Sequence, residues 1–367
     1  MNASRAEITR VERLNVVVLT IMSAVFIAAR RQIPAAGGLA CGFAGLAMAT
    51  AVLPRVTDQW AVAKMRMILQ GVALLSVYES LGLVINAIGW QQRDPWILAC
   101  ERLVTRGHLP PLEIVMLPPW VSDLLSLAYV TYFVLPVSLI VALIRRQRWM
   151  DAHAATLTLL VAFYLHYAIY VLLPVVGPLR TTALSADIRM HIVAQGGRLT
   201  HDLRALVGIL ERTPQDGFPS AHTSITLLIA AVARKHRLRL RWAFYVIAVP
   251  IIASTVLLGY HYVVDLLAAL PVAWAAWRLS QPSVGQHSRW AFAWGTASSG
   301  RSDPSSVAPA ACLMARIDSC RAARRLASVG PGRTPRVRTR SAALPHRAAD
   351  VLQSSENITD LVDDGHP

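Results

Sequence analysis

The stretch FPSAHTSITLLIAAVARK, from Phe218 to Lys235, contains a membrane helix together with the signals that start and end it. Pro219 and Ser220 are typical of a helix N-terminus, because proline lacks the N–H that a first turn leaves unbonded and a serine side chain accepts from the next turn. An apolar run begins at Ile225, and basic residues follow it. This order predicts a helix that crosses a lipid bilayer.

The composition of the whole chain supports a membrane protein. The 367 residues are 54% hydrophobic and 16% charged, with a mean hydropathy of +0.45. A soluble domain of this length carries more charge, so the excess apolar surface must face lipid. The formal charge of +15 would suggest nucleic acid in a soluble protein. Here the basic residues lie mainly in short loops and in the tail, so we expect contact with anionic headgroups and no nucleic-acid partner.

Eight apolar runs approach the roughly 20 residues that a helix needs to cross a bilayer core of about 30 Å. The runs cover about 14–29, 33–53, 67–90, 120–144, 153–176, 219–233, 243–260 and 261–279. The fold class predicted is all-α, a polytopic membrane helix bundle with about eight transmembrane helices. The first run lacks a small-residue cleavage site and is interpreted as a retained anchor.

Loop charge predicts the orientation. The loops at 54–66, 145–151 and 234–241 hold 11 basic residues in about 28 positions, whereas the opposite loops hold 10 in about 75. The positive-inside rule places the dense side and both termini in the cytoplasm, with Arg30 and Arg31 as a contrary signal. We expect an integral protein of the plasma (inner) membrane. Several tryptophans lie near the predicted span ends, as interfacial anchors do.

Two outer loops are too long to be simple connectors. Residues 200–212 have apolar positions at helical spacing, and Trp96, Ile97, Leu103 and Val104 suggest a second helix. These helices either lie along the outer membrane face or form a small packed cap. From about 281 onward the composition turns to Ser, Ala, Pro, Gly and Arg, which predicts a disordered cytoplasmic tail.

Three polar clusters flank the later runs, at Arg180, at Ser220 with His222, and at His261 with Asp265. An arginine at a span end can simply mark the interface, but its guanidinium also suits phosphate oxygens. Ser220 and His222 lie at a helix start, where free N–H groups favour an anion. His261 and Asp265 are four residues apart, so on a helix they would share one face and hydrogen-bond.

The crossing parity tests whether these clusters can meet. The first cluster ends span five, the second begins span six, and the third begins span eight after the chain has crossed and returned. All three are therefore predicted on the same outer face. A count that put them on opposite faces would have excluded a joint site.

The residue types indicate phosphoryl chemistry. A neutral imidazole is a good nucleophile toward phosphorus, and Asp265 would fix the tautomer of His261 as it attacks. Arg180, Ser220 and the helix N-terminus would hold the phosphate oxygens, and His222 would protonate the leaving alkoxide. Water or another alcohol would resolve the phosphohistidine. No metal or other cofactor is required, and we find no acidic cluster to hold a metal.

These motifs resemble the type 2 phosphatidic acid phosphatase (PAP2) superfamily, whose members supply an Arg, a Pro-Ser-x-His and a final His with an Asp four residues later. The resemblance implies a six-helix core with the last His as nucleophile and the middle His as acid, roles that fall on Arg180, Ser220, His222, His261 and Asp265. We predict an N-terminal pair of transmembrane helices over 1–65, a PAP2-like catalytic core over 66–280 and the tail over 281–367.

The chain departs from the usual family pattern at several positions. Leu173 stands where a Lys is usual, Thr255 where an Arg is usual, and Thr181 and Ala221 replace Pro and Gly. Ser254, Thr255 and the pair His261, Tyr262 resemble the branch that contains inositol phosphorylceramide synthase and related inositolphosphotransferases. Loss of two cations weakens a clamp for a monoester dianion more than for a diester, which favours a phosphodiester substrate or transfer to a lipid alcohol.

The function predicted is that of a lipid phosphatase or phosphotransferase working on a lipid phosphate or phospho-headgroup at the extracytoplasmic face. Its partners would be the lipid substrate and, for transfer, a lipid alcohol acceptor, while the oligomeric state is left open. The alternative is a catalytically degenerate lipid transporter or scaffold.

Three polar residues of the spans are left outside the catalytic set. Glu79, within the third span, is either functional or paired with Asn86, His166 or a tyrosine of the fifth span. His166 and Tyr170 could line the site from below.

Overall fold

The computed structural model describes residues 9–56, 60–107 and 117–281. The regular structure in these ranges is helical, apart from one isolated parallel bridge between Val175 and Asp216. The all-α fold class is therefore confirmed. The predicted tail lies outside the described residues, except for its first position.

The helices are numbered in chain order. They are α1 (Arg10–Ala28), α2 (Ala36–Val56), α3 (Trp60–Ile88), α4 (Asp94–Val104), α5 (Pro119–Thr131), α6 (Leu135–Ile144), α7 (Trp149–Leu172), α8 (Ala186–Ala194), α9 (Arg198–Leu210), α10 (Ala221–Lys235), α11 (Arg241–Leu257) and α12 (Val263–Ser280). A single 3₁₀ turn, Tyr132–Val134, joins α5 to α6 into one rod. Each of the eight predicted apolar runs coincides with a helix or with this rod.

Six of these segments are long and apolar enough to cross a membrane, so the chain is an integral membrane protein. They are Arg10–Ala28, Ala36–Pro54, Lys64–Ile88, Pro119–Ile144, Trp149–Leu172 and Val263–Ser280. The other two predicted crossings are shorter. Helix α11 is apolar over 17 residues, and α10 has 15 residues with a polar first turn, a length of about 22 Å.

Helix α10 lies at the centre of the later helices. It packs against α6, α7, α11 and α12. The largest fully buried side chains of this core include Leu139 and Leu143 of α6, Ile225 and Ile229 of α10, and Ile251 of α11. A second core joins α1 and α2 to α3 and α7, with Phe26 stacked on Phe43 at a ring-centroid distance of 5.6 Å. The first helix pair is thus packed onto the remaining bundle.

The start of α1 and the end of α12 lie at the same end of the bundle. The Arg10 guanidinium donates to the carbonyls of Leu279 at 2.9 Å and Gln281 at 3.1 Å. Glu12, in the first turn of α1, accepts from Arg66 near the start of α3. This arrangement agrees with the even number of crossings that the sequence predicted.

Three further helices form a cap over the opposite end. Helices α4 and α9 occupy the two segments predicted as amphipathic helices, whereas α8 was not predicted. Ile97 of α4, Ile192 of α8, Val175 and Tyr262 share a small buried cluster. The α9 backbone is tied to α5, because the Asp123 carboxylate accepts from Thr200 N at 2.8 Å and Thr200 Oγ1 at 2.7 Å. These contacts favour the packed cap over helices lying separately on the membrane.

The short length of α8 explains why the pattern missed it. Its nine residues include one fully buried apolar side chain, Ile192, which leaves no periodicity to read. The available signal was Ser185, whose hydroxyl caps the helix by accepting from Ile188 N at 3.4 Å.

Candidate active site

The second motif starts a helix as predicted. Ser220 is the N-cap of α10, and its fully buried hydroxyl oxygen accepts from Thr223 N at 3.3 Å. Ser220 N donates to the carbonyl of Asp265 at 3.2 Å, which joins the second motif to the third. The free N–H groups and the positive end of α10 therefore point into the region where the motifs meet.

His222 lies in the first turn of α10 inside an aromatic pocket. Its ring stacks on Tyr129 at a centroid distance of 4.3 Å, lies 3.9 Å from Tyr132 and meets the edge of Phe133 at 6.1 Å. All three aromatic residues come from α5 and the 3₁₀ turn that follows it. Sequence patterns did not predict this pocket, because the contacts join segments about ninety residues apart.

The third motif holds His261 by a different geometry from the one predicted. Helix α12 begins at Val263, so His261 precedes the helix and does not share a helical face with Asp265. The contact forms because Asp265 turns back toward the helix start, where it accepts from Tyr262 N at 2.8 Å and lies 3.3 Å from His261 Nδ1. The contact was predicted correctly, and the reason for it was wrong.

The shorter of the two contacts of His261 Nδ1 is to a backbone carbonyl, which the sequence analysis missed. Nδ1 lies 2.8 Å from the carbonyl oxygen of Gly217 and 3.3 Å from Asp265 Oδ2. Two acceptors on one side require the proton to be on Nδ1, which leaves a lone pair on Nε2. Nε2 makes no hydrogen bond to any residue in the described part of the chain.

The two histidines face the same small space. Their ring centroids are 5.9 Å apart, with 57° between the ring planes. Contacts of about 3 Å on either side of a reacting group would fill such a gap. The structure thus brings His222 and His261 together from positions 39 residues apart in the chain.

The first motif forms a tight turn against the third. Leu179 N donates to the carbonyl of Gly259 at 2.9 Å. Gly177 has a φ of +76°, and a Cβ there would lie 2.5 Å from the carbonyl oxygen of Tyr260, so glycine is required. Arg180 ends this turn with its side chain exposed and makes no side-chain hydrogen bond or ion pair within the described ranges. Its charge acts on Glu211, Asp216 and Tyr260.

Two buried carboxylates of α4 hold these turns, and neither was predicted. Asp94 accepts from Val176 N at 3.0 Å and Gly177 N at 3.1 Å. Glu101 accepts from Val263 N at 3.1 Å and Val264 N at 2.8 Å, which satisfies free donors at the start of α12. Burial raises the pKa of the Asp94 carboxyl, and the hydrogen bonds from the two amides oppose that rise.

A second pair of acidic residues lies beside the histidines. Glu211, the C-cap of α9, is buried and accepts from the Tyr129 hydroxyl at 3.0 Å. Asp216 accepts from the Tyr78 hydroxyl at 2.8 Å. Burial, followed by the charge of Asp216, raises the pKa of Glu211 to about 8, and burial also raises the pKa of Asp216.

His166 and Tyr170 of α7 support the second motif from below. The Tyr170 hydroxyl donates to the carbonyl of Pro219 at 3.3 Å. His166 Nε2 lies 3.0 Å from the Ser224 hydroxyl, whose oxygen also lies 3.3 Å from the carbonyl of Ser220. These residues fix the start of α10 and make no direct contact with His261.

Glu79 has a partner that was not among the predicted ones. Its carboxylate lies 3.7 Å from Arg212 and is 42% exposed. Asn86 instead accepts from Gln215 at 3.2 Å. Glu79 therefore forms a partly exposed ion pair with the loop that follows α9 and is not a buried group of the site.

The fold and these contacts define a class: a polytopic helical membrane protein with two facing histidines beneath a helical cap. In the residues that the structure describes there is no group of three or more His, Cys, Asp or Glu placed to hold a metal ion. The expectation that no metal is needed stays a prediction.

A family model of the PAP2 superfamily matches residues 95–279, which is half of the chain, so the protein belongs to the PAP2 superfamily. The match begins within α4, so it leaves out α3, which the sequence analysis had placed in the core. Membership indicates phosphatase-type activity in general. No curated protein and no solved structure gives a match.

Proposed function

We propose that this protein transfers a phosphoryl group or phospho-headgroup of a membrane lipid through a phosphohistidine on His261. The observation that carries the proposal is the pair of rings with centroids 5.9 Å apart, together with the 2.8 Å contact that engages His261 Nδ1 with the Gly217 carbonyl and leaves Nε2 free of hydrogen bonds among the described residues. An imidazole fixed in this way presents the lone pair of Nε2 to a phosphorus atom between the rings.

The neighbours of His261 suit a nucleophile that becomes positively charged. As Nε2 bonds to phosphorus, the ring gains positive charge, and the Gly217 carbonyl and the Asp265 carboxylate stabilise that charge. The amide of Tyr262 holds the same carboxylate oxygen in place at 2.8 Å. Little reorganisation is then needed during the attack.

The opposite side of the gap supplies the acid and the oxygen ligands. His222 donates the proton that the leaving alkoxide requires. The N-terminus of α10, with Ser220 as its cap, and the exposed guanidinium of Arg180 bind the remaining phosphate oxygens. The aromatic pocket around His222 excludes water from the leaving group.

The sparse positive charge supports a diester substrate or transfer to a lipid alcohol, as in the inositolphosphotransferase-like branch. Thr255 is fully buried and bonds to the carbonyl of Ile252, while its own carbonyl accepts from His261 N at 2.8 Å. Leu173 supplies no charge at the end of α7. Arg180 is then the main cation for the phosphate, and one cation matches a phosphate with one negative charge better than a dianion.

The loop charges support a site at the extracytoplasmic end. The loops that flank the motifs are the ones poor in basic residues, and the opposite loops carry the dense arginine clusters. On this proposal both termini are cytoplasmic, and the cap of α4, α8 and α9 faces the outside.

The test uses full-length protein in lipid nanodiscs with ³²P-labelled phosphatidic acid or phosphatidylinositol, with and without a lipid alcohol. Free phosphate from phosphatidic acid, or inositol phosphate from phosphatidylinositol, indicates hydrolysis, and a new labelled lipid indicates transfer. We expect His261→Ala to lower turnover about 10³-fold or more. The control is His201→Ala, at an exposed histidine of α9. Label retained on the protein in alkali and lost in acid would identify the phosphohistidine.

Two results would overturn the proposal. The first is a wild-type protein that turns over none of these lipids, which would favour the transporter or scaffold alternative. The second is activity that survives in His261→Ala.

A further inference from the structure

Glu211 is a buried carboxyl beside the His222 ring. Glu211 Oε1 lies 3.5 Å from His222 Nε2, a distance that allows an ion pair, and Nε2 is buried without a hydrogen bond. The rings packed against His222 are those of Tyr129, Tyr132, Phe133 and His261. Among the described residues Glu211 is the carboxyl that pairs with Nε2.

This buried environment makes it difficult for His222 to act as a general acid. A buried imidazole without an anionic neighbour favours its neutral form, because burial penalises charge. A leaving alkoxide nevertheless needs a proton from His222 at neutral pH. Either the proton comes through the ring from another group, or the reaction proceeds without an acid.

Glu211 is a carboxyl that holds a proton under those conditions. Burial, followed by the charge of Asp216, raises its pKa to about 8, while Tyr129 and Arg180 act in the opposite direction. A carboxyl with this pKa is mostly protonated at pH 7. The titratable and charged side chains that act on Glu211, or on which it acts, are Tyr78, Tyr129, Tyr132, Tyr170, Arg180, Asp216, His222 and Tyr260.

We propose that Glu211 is a positioning residue that acts through His222 and stores the proton that His222 delivers to the leaving group. The inference rests on the proposed function and adds a residue to it. The 3.5 Å approach to Nε2 and the 3.0 Å hydrogen bond from Tyr129 hold the buried carboxyl beside the ring.

The proton transfers balance in both half-reactions. As the bond from His261 Nε2 to phosphorus forms and the bond from phosphorus to the leaving oxygen breaks, that oxygen takes the proton of the other His222 nitrogen. Nε2 of His222 receives the Glu211 proton, and Glu211 becomes a carboxylate. When water or an alcohol then attacks the phosphohistidine, its proton passes through His222 back to Glu211.

The test compares two leaving groups on the same phosphate. Alkoxide leaving groups require a proton, whereas 4-nitrophenolate leaves without one. For the natural lipid ester we expect Glu211→Gln to lower kcat about 100-fold, and for the 4-nitrophenyl ester of the same phosphate we expect no change. Glutamine keeps an oxygen that can accept from the Tyr129 hydroxyl. Glu79→Gln, the same change at a partly exposed carboxylate, is the matched control.

A measurement on the wild-type protein covers the case in which the variant fails to fold. The kcat for the lipid ester should fall above about pH 8, where the pair loses its proton, and the kcat for the 4-nitrophenyl ester should not. Equal loss of both activities in Glu211→Gln, or the same pH profile for both substrates, would overturn the inference. If the wild-type protein acts on neither substrate, the proposed function fails instead.

Discussion

Replacement of Glu101 by alanine should release the start of α12 and disorder the His261 turn. The Glu101 carboxylate is 1% exposed and accepts from Val263 N at 3.1 Å and Val264 N at 2.8 Å. A hydrogen bond to a charged group contributes about 1.5 kcal/mol at the lower end of its range. Two such bonds stabilise the first turn of α12 by about 3 kcal/mol. Alanine is a good helix former, so α4 itself should stay intact.

Hydrogen exchange measured by mass spectrometry on the full-length protein in nanodiscs would test this directly. Since 1.4 kcal/mol is a factor of ten, the amides of Val263 and Val264 should exchange about 100-fold faster in Glu101→Ala. Glu79→Ala is the control, because its 3.7 Å pair with Arg212 is partly exposed and contributes about 0–1 kcal/mol. Exchange at the two amides within about threefold of wild type would refute the capping role of Glu101.

Two further predictions concern the loop before α10. Gly217→Ala places a Cβ 2.8 Å from the Val175 carbonyl oxygen, so the Gly217 carbonyl should move away from His261. We expect kcat to fall about tenfold or more, whereas Gly208→Ala, at a glycine with open space around it, should leave kcat unchanged. Because burial raises the pKa of Glu211 to about 8, the folded state binds a proton that the unfolded chain releases near pH 4.3. The thermal unfolding midpoint should therefore fall as pH rises between these values, and Glu211→Gln should make that fall smaller.

The sequence alone was sufficient to predict where the apolar helices lie, six of which, in the described part of the chain, are long enough to cross a membrane. Apolar runs about 20 residues long leave few alternatives in a bilayer, and each of the eight coincides with a helix or with the α5–α6 rod. The start of α10 was also predictable, because the cap of Ser220 is a local interaction. Parity then indicated that Arg180, His222 and His261 lie at one end, and the structure agrees.

The contacts that shape the site were beyond a sequence reading, because they join distant segments. The Gly217 carbonyl meets His261 Nδ1 across 44 residues, and Glu101 meets Val263 across 162. A backbone carbonyl also carries no side-chain signal in the sequence. His261 and Asp265 do make contact, but they do not share a helical face as predicted, because α12 begins only at Val263. The partner of Glu79 was missed because Arg212 lies in a loop without periodicity.

The two carboxylates of α4 connect the cap to the turn before Arg180 and to the start of α12. Asp94 and Glu101 are two helical turns apart on the same face, one gripping the bend that ends in Arg180 and the other the entry to the final span. A force that tilts α4, such as a change in the headgroups beside it, would displace the Arg180 turn and the start of α12 together. Damage at either acid should consequently resemble damage at both, and their effects should not add.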